Sequence, residues 1–141
     1  MKKSGFTLVE LLAVIVILGV IASIGVASYT YYINQANDTY YVDAEETARA
    51  AAESFLTYCS STLYGEDFCR NVVVPSAGNS ISVSISTLMD KEFMKVVDSV
   101  KTGNRCSGEV VITNNGITGG NYDLSYKVCL RCDDFQSEAC Q

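Results

Sequence analysis

The sequence predicts an α+β chain in which one long amino-terminal helix, about residues 6–60, packs against a small antiparallel β-sheet head. Between Phe6 and Tyr64 there is no proline, and the only glycines are Gly19 and Gly25, so nothing obliges a helix to stop. Later in the chain, residues 122–130 alternate strictly between apolar and polar types after a glycine-rich stretch, which is the pattern of a hairpin. Six cysteines, all after residue 58, add cross-links to a domain with a limited core.

The helix opens on a cationic flank, Lys2-Lys3, followed by an apolar run of about 22 residues from Phe6 to Ala27, enough to span hydrocarbon. Glu10 is the one charge in that run. A carboxylate inside a spanning helix costs about 2.5–3.5 kcal/mol on insertion scales, so a residue kept there asks for a role. An ordinary secretory signal shares the cationic flank but has a shorter apolar region; cleavage near Ala22 or Ala27 is the reading that competes. A helix of about 55 residues would be roughly 80 Å long at 1.5 Å per residue.

Its second half is amphipathic. Ile33, Ala36, Tyr40, Ala44, Ala48, Ala51, Phe55 and Cys59 recur at three- and four-residue steps and form one apolar stripe. Asp38, Asp43, Glu45, Glu46 and Glu53 make a solvated face, with Arg49 spaced to pair with Glu45 and Glu53. Tyr29, Tyr31, Tyr32, Tyr40 and Tyr41 gather where the chain would leave a membrane, a usual place for tyrosine. Asn37-Asp38-Thr39 also matches a glycosylation acceptor, a pattern common by chance.

Residues 60–80 contain Gly65, Pro75 and Gly78 and read as a loop with a short strand at Val72–Val74. Two readings stay open for the next segment: Ser86 capping a short helix through Glu92, or a strand carrying Ile81, Val83 and Ile85. Glu109–Thr113 is β-rich, Asn114–Asn121 is turn-rich, and Tyr122–Leu130 is the second strand of the hairpin. On it Tyr122, Leu124, Tyr126, Val128 and Leu130 share the core face, while Asp123, Ser125, Lys127, Cys129 and Arg131 face out. Cys132 then lies near the core to meet Cys106, Cys129 points outward to clasp the tail through Cys140, and Cys59 meets Cys69 across the loop after the helix. Six cysteines allow fifteen pairings, and this is the one the alternation favours.

Composition excludes several classes of function. The chain has 10 Lys and Arg against 16 Asp and Glu, and no histidine. So acidic a surface repels nucleic acid phosphate, and direct nucleic acid binding is not expected. Cys129-x-x-Cys132 lacks the second pair and the histidine that a zinc site would use, so no metal ligand set is assigned. Asp133, Asp134 and Glu138 lack an ordered calcium-ligand pattern. With no nucleophile elbow, phosphate-binding glycine loop or paired catalytic carboxylates, the chain is expected not to be an enzyme, to have no catalytic residues and to use no cofactor.

Gly5-Phe6-Thr7-Leu8-Val9-Glu10 resembles the cleavage and methylation signature of type IV pilins and of the pseudopilins of related secretion and DNA-uptake machines. Gly19 and Tyr29 also fall where that family commonly has glycine and tyrosine. The close resemblance covers about the first 30 residues. It implies a type IV pilin-like fold, cleavage by prepilin peptidase between Gly5 and Phe6, N-methylation of Phe6, and a filament-assembly role for Glu10. It further implies a leader at 1–5, a transmembrane and filament-core half at 6–33, and an exported head at 34–141. The function implied is a structural subunit that polymerises with itself into an extracellular pilus after residing in the cytoplasmic membrane, where the peptidase and assembly machinery act on it. A pseudopilin of a competence or type II secretion apparatus is the alternative. The family often has a proline near the position of Ala27; this chain's only proline is Pro75.

Overall fold

The computed structural model describes residues 7–61, 67–70 and 72–140. By contacts the chain falls into two units, Met1–Thr39 and Tyr40–Gln141, and α1 (Leu8–Ser61) contributes to both. In the first unit α1 is helical throughout its described length, including Gly19 and Gly25, so no break replaces the missing proline. Ser23 and Ser28 return their hydroxyls to the carbonyls of Val20 at 2.7 Å and Ile24 at 3.3 Å, which satisfies them without water.

The second unit is residues 40–61 of α1 together with a four-stranded antiparallel sheet. After a 3-10 turn at Asp67–Cys69 come β1 (Ser80–Ser84), α2 (Ile85–Asp90), β2 (Ser107–Thr118), β3 (Asn121–Cys132) and β4 (Phe135–Gln136), with sheet order β1-β2-β3-β4. Both readings of residues 81–92 are realised in succession, a strand and then a helix. Ser84, not Ser86, takes the N-cap position of α2, and the two hydroxyls bond each other at 2.7 Å. Val72–Val74 forms no strand; Val72 and Val74 pack on the core as irregular chain leading to the buried Pro75.

The hairpin is longer than its composition suggests. Asn114–Thr118, expected to be turn, continues β2, and the turn shrinks to Gly119-Gly120 with φ of 61° and 85°. Two successive left-handed residues are what a tight two-residue hairpin needs, and glycine adopts them without steric cost. A bulge between Asn114 and Gly116 absorbs the extra residue. Asn114 pins it: its Nδ2 donates to the Pro75 carbonyl at 2.7 Å and its Oδ1 accepts the Gly116 N–H at 2.8 Å.

The core joins one face of α1 to one face of the sheet. Tyr41, Ala44, Ala48, Ala51, Ala52, Phe55, Leu56 and Cys59 of α1 are buried with Val83, Ile85, Leu88, Val110, Ile112 and Leu130. Four of these α1 residues are alanines, and Phe55 is the largest fully buried side chain, with Phe93 edge-on at 5.0 Å. The stripe therefore shifts by one residue at its start. Tyr40 is 39% exposed, whereas Tyr41 is 2% exposed because its ring stacks on Phe135 at 4.5 Å and its hydroxyl has partners inside. Tyr122 is exposed, lying near the hairpin tip beyond the last β1 pairing at Ser80↔Thr113. Arg49 lies 3.9 Å from Glu46 and not beside Glu45, whose carboxylate accepts the hydroxyl proton of buried Ser137.

Three disulfides close the unit: Cys59–Cys69 across the loop after the helix, and Cys106–Cys132 and Cys129–Cys140 from the two faces of β3. Each contributes about 2–4 kcal/mol by restricting the unfolded chain. The burial of the two β3 cysteines differs from expectation. Cys132 is half-buried at the core margin. Cys129, on the outward face, is 5% exposed because the tail turn Glu138–Cys140 folds over it.

Two carboxylates tie the loop 98–105 to the turn between β3 and β4. Asp134 accepts hydrogen bonds from the hydroxyls of buried Ser99 and of Tyr41, the latter at 2.6 Å, and the Tyr41 oxygen in turn accepts the Val100 N–H at 2.8 Å. Asp133 accepts from the Thr102 hydroxyl and from Asn104 Nδ2 at 2.7 Å. These bonds stabilise the ionised forms, so both carboxyls are held below the usual aspartate range, Asp134 chiefly by Ser99 and then Tyr41, Asp133 by Thr102 and then Asn104. Burial, and then the bond to Asp134, pushes the Tyr41 phenol up.

A carboxyl whose pKa is depressed on folding stabilises the fold above its unfolded value of about 4, and that contribution disappears as pH falls through the folded value. The melting temperature of the oxidised protein is therefore expected to be flat between about pH 5 and 9, to drop below about pH 4, and to fall again above about pH 10 as Tyr41 is forced to ionise; Asp134→Asn should flatten the acid limb in thermal scans across pH. Gly108, at φ 140°, faces the β3 backbone so closely that an added Cβ would lie 1.9 Å from the Cys129 carbonyl oxygen. Gly108→Ala is expected to cost about 3 kcal/mol or more in denaturant titration, and Phe55→Ala about 3–5 kcal/mol.

Candidate assembly and processing segment

The first turn of α1 is built around Glu10. Thr7 stands at the N-cap, and Glu10, three residues on, turns its carboxylate back. Glu10 Oε2 accepts the Thr7 N–H at 2.9 Å and the Thr7 hydroxyl at 2.8 Å, while the Thr7 Oγ1 accepts the Glu10 N–H at 3.3 Å. This is a reciprocal capping box, and it satisfies amides that a helix start would otherwise leave unpaired. The sequence carries the signal as Thr7-x-x-Glu10, a threonine at the cap with a glutamate three residues on ahead of an apolar run. Its carboxylate is thus hydrogen-bonded within its own chain, which eases its presence at the head of an apolar helix.

Beyond the cap, the helix is apolar on all sides. Leu8 is 80% exposed, Leu12 54%, Ile17 58% and Ile24 65%, so among the described residues no face of this stretch is covered. A helix greasy around its full circumference matches burial in lipid or among other helices and not a surface position in water. The stretch is long and apolar enough to cross a membrane. Tyr29, Tyr31 and Tyr32 follow it, exposed, with the last two rings edge-to-face at 5.9 Å.

Gly5 and Phe6, the expected cleavage and methylation positions, lie outside the described residues. Thr7 is the first described residue and Glu10 sits one turn along the helix. The cysteines belong wholly to the second unit and none of the three disulfides touches this segment. Among the described residues no group of three or more side chains converges as a metal would require, and Asp133 and Asp134 spend their oxygens on hydroxyl and amide donors.

Residues 1–26 match the prokaryotic N-terminal methylation motif, a span that contains Gly5, Phe6, the Thr7–Glu10 cap and most of the apolar helix. No curated protein and no solved structure matches the chain. The motif is that of structural pilin and pseudopilin subunits, which are not enzymes. A capping carboxylate on a helix apolar all round, within this motif and followed by an α+β unit, supports one assignment: over residues 1–26 the chain carries a prepilin-type amino terminus.

Proposed function

We propose that the chain is a structural subunit of an extracellular type IV pilus, assembled through residues 6–33 after removal of the leader 1–5. The observation that carries this reading is the uncovered apolar helix capped by Glu10 inside the methylation motif. In the cytoplasmic membrane, lipid covers the helix. In the filament the same helices from neighbouring copies replace lipid, in a heterologous packing that does not close and therefore grows. The unit that includes the sheet, exported and cross-linked by three disulfides, forms the exposed surface.

Cleavage between Gly5 and Phe6 by prepilin peptidase creates a cationic amine at Phe6, and N-methylation keeps its charge. The Thr7 amide and hydroxyl remain after this cut, so the capping box persists in the mature subunit. Glu10 Oε2 is committed to Thr7, and the other carboxylate oxygen is the one offered to a Phe6 amine, on its own chain or a neighbour. Pairing removes the cost of two lone charges in an apolar bundle.

Sheared surface material is expected to contain long filaments dominated by this chain, whose amino-terminal peptide in mass spectrometry begins at N-methylated Phe6. Filaments beginning at Met1, or the chain present only in traces beside another subunit, would oppose the reading. Glu10→Ala and Glu10→Gln are expected to insert in the membrane normally yet yield few filaments by electron microscopy. Thr7→Ala, which loses a cap worth about 1 kcal/mol, should give an intermediate yield.

A further inference from the structure

The sheet has an open edge that coincides with a groove. β4 pairs only with Arg131 and Cys132 of β3, and Ser137 continues the tail's contact by one step: its N–H donates to the Leu130 carbonyl at 2.9 Å and its hydroxyl accepts the Leu130 N–H at 2.9 Å. Leu130 therefore turns both backbone groups away from β2. Along an antiparallel strand this direction recurs every second residue, and the only register shift in the β2–β3 ladder falls on β2, between Asn114 and Gly116. Val128, Tyr126, Leu124 and Tyr122 must then also direct their N–H and C=O outward. Among the described residues no hydrogen bond meets them.

Beside this edge runs an open groove of about 890 Å³ between residues 42–49 of α1 and β3, closed at one end by the tail. Tyr126, Val128 and Phe135 give it an apolar lining, and all three are only partly buried. Its charged side chains are four acids, Asp43, Glu45, Glu46 and Glu138, against Arg49 and Lys127. A natural sheet usually protects such an edge with proline, bulges or several lysines; here the outward row has none of these, and Lys127 alone is basic.

From the coincidence of unpaired backbone, apolar floor and acidic wall, we infer that the outer edge of β3 binds an extended segment of a partner protein whose groove-facing positions, every second residue, carry both apolar side chains and lysine or arginine. The segment adds a strand beside residues 122–128. Its backbone pairs with Leu124, Tyr126 and Val128, and the side chains of one of its faces enter the groove, the apolar ones against Tyr126 and Val128 and the cations against Glu46 and Asp43. Backbone pairing supplies the affinity, and the acids supply selection for a cationic strand. The tail disulfide Cys129–Cys140 fixes where the open edge begins.

The test uses the full chain in nanodiscs of zwitterionic lipid, probed with a blocked Val-Ser-Lys-Ser-Val-Ser-Lys peptide, which places valine and lysine on one face. Binding is expected to protect the amides of Leu124, Tyr126 and Val128 from hydrogen exchange, leaving those of Ser125 and Lys127, already paired with β2, unchanged. The same peptide N-methylated at alternate residues, which keeps its charge but cannot form the ladder, should bind at least tenfold more weakly. So should a counterpart with glutamate in place of lysine. Glu46→Lys, an exposed change away from the core, should weaken the valine–lysine peptide about tenfold, and Tyr126→Pro should abolish the protection. Equal binding of the N-methylated peptide would overturn the inference, since attraction would then be by charge alone. A Ser-Ile-Ser-Val-Ser peptide copied from β1 binding where the valine–lysine peptide does not would overturn it in favour of a second copy, and no peptide binding at millimolar concentration would also overturn it. None of these outcomes depends on whether filaments form.

Discussion

A helix whose apolar side chains surround its whole circumference has no stable place in water, and residues 8–25 of α1 are such a helix. Burial is worth roughly 25 cal/mol for each Å² of apolar surface, so the exposed leucines, isoleucines and valines together outweigh any local interaction at the helix start. Lipid and neighbouring helices both satisfy them. The proposed exchange of lipid for neighbouring helices therefore requires no unfolding, provided that the polar groups are already satisfied. The capping box does this for Glu10 and the first amides, and serine hydroxyls bonded to carbonyls one turn back do it within the helix.

The second unit solves a different problem. Its core is small, built on alanines of α1 and a few branched residues of the sheet, with Phe55 at the centre. Such a domain gains by restricting the unfolded chain, and three disulfides do so at the helix end, the hairpin base and the tail. The loop 98–105 has little apolar surface of its own and is held by Asp133 and Asp134 instead. All buried polar side chains among the described residues find partners, which is why a buried Asn114, Ser99 and Ser137 are tolerated.

Much of this was legible in the chain because it depends on near neighbours. The helix follows from the absence of proline over residues 6–64, the membrane-length stretch from an unbroken apolar run, and the N-cap from Thr7-x-x-Glu10, although that pattern had to be read as a pair. The cysteine pairing was accessible through strand alternation, since residues 129 and 132 must point to opposite faces and so meet different partners. The matching motif over residues 1–26 rests on the same local signals.

What the chain alone determined is thus the period and the punctuation: helix, hairpin, apolar run and cysteine faces, each fixed by contacts within a few residues. Only the tertiary structure chose Tyr41 over Tyr40 for the core, since a phenol is buried where a distant aspartate and amide receive it. Only it could extend β2 through Asn114–Thr118, because cross-strand hydrogen bonds with β3 outweigh the turn preference of asparagine and glycine. It also buried Cys129 on an outward face, since the tail that covers it is brought there by a bond eleven residues long in sequence. For Tyr41 the deciding partner lies 93 residues along the chain, and in the other two cases it is a strand or tail pairing about which local periodicity carries no information.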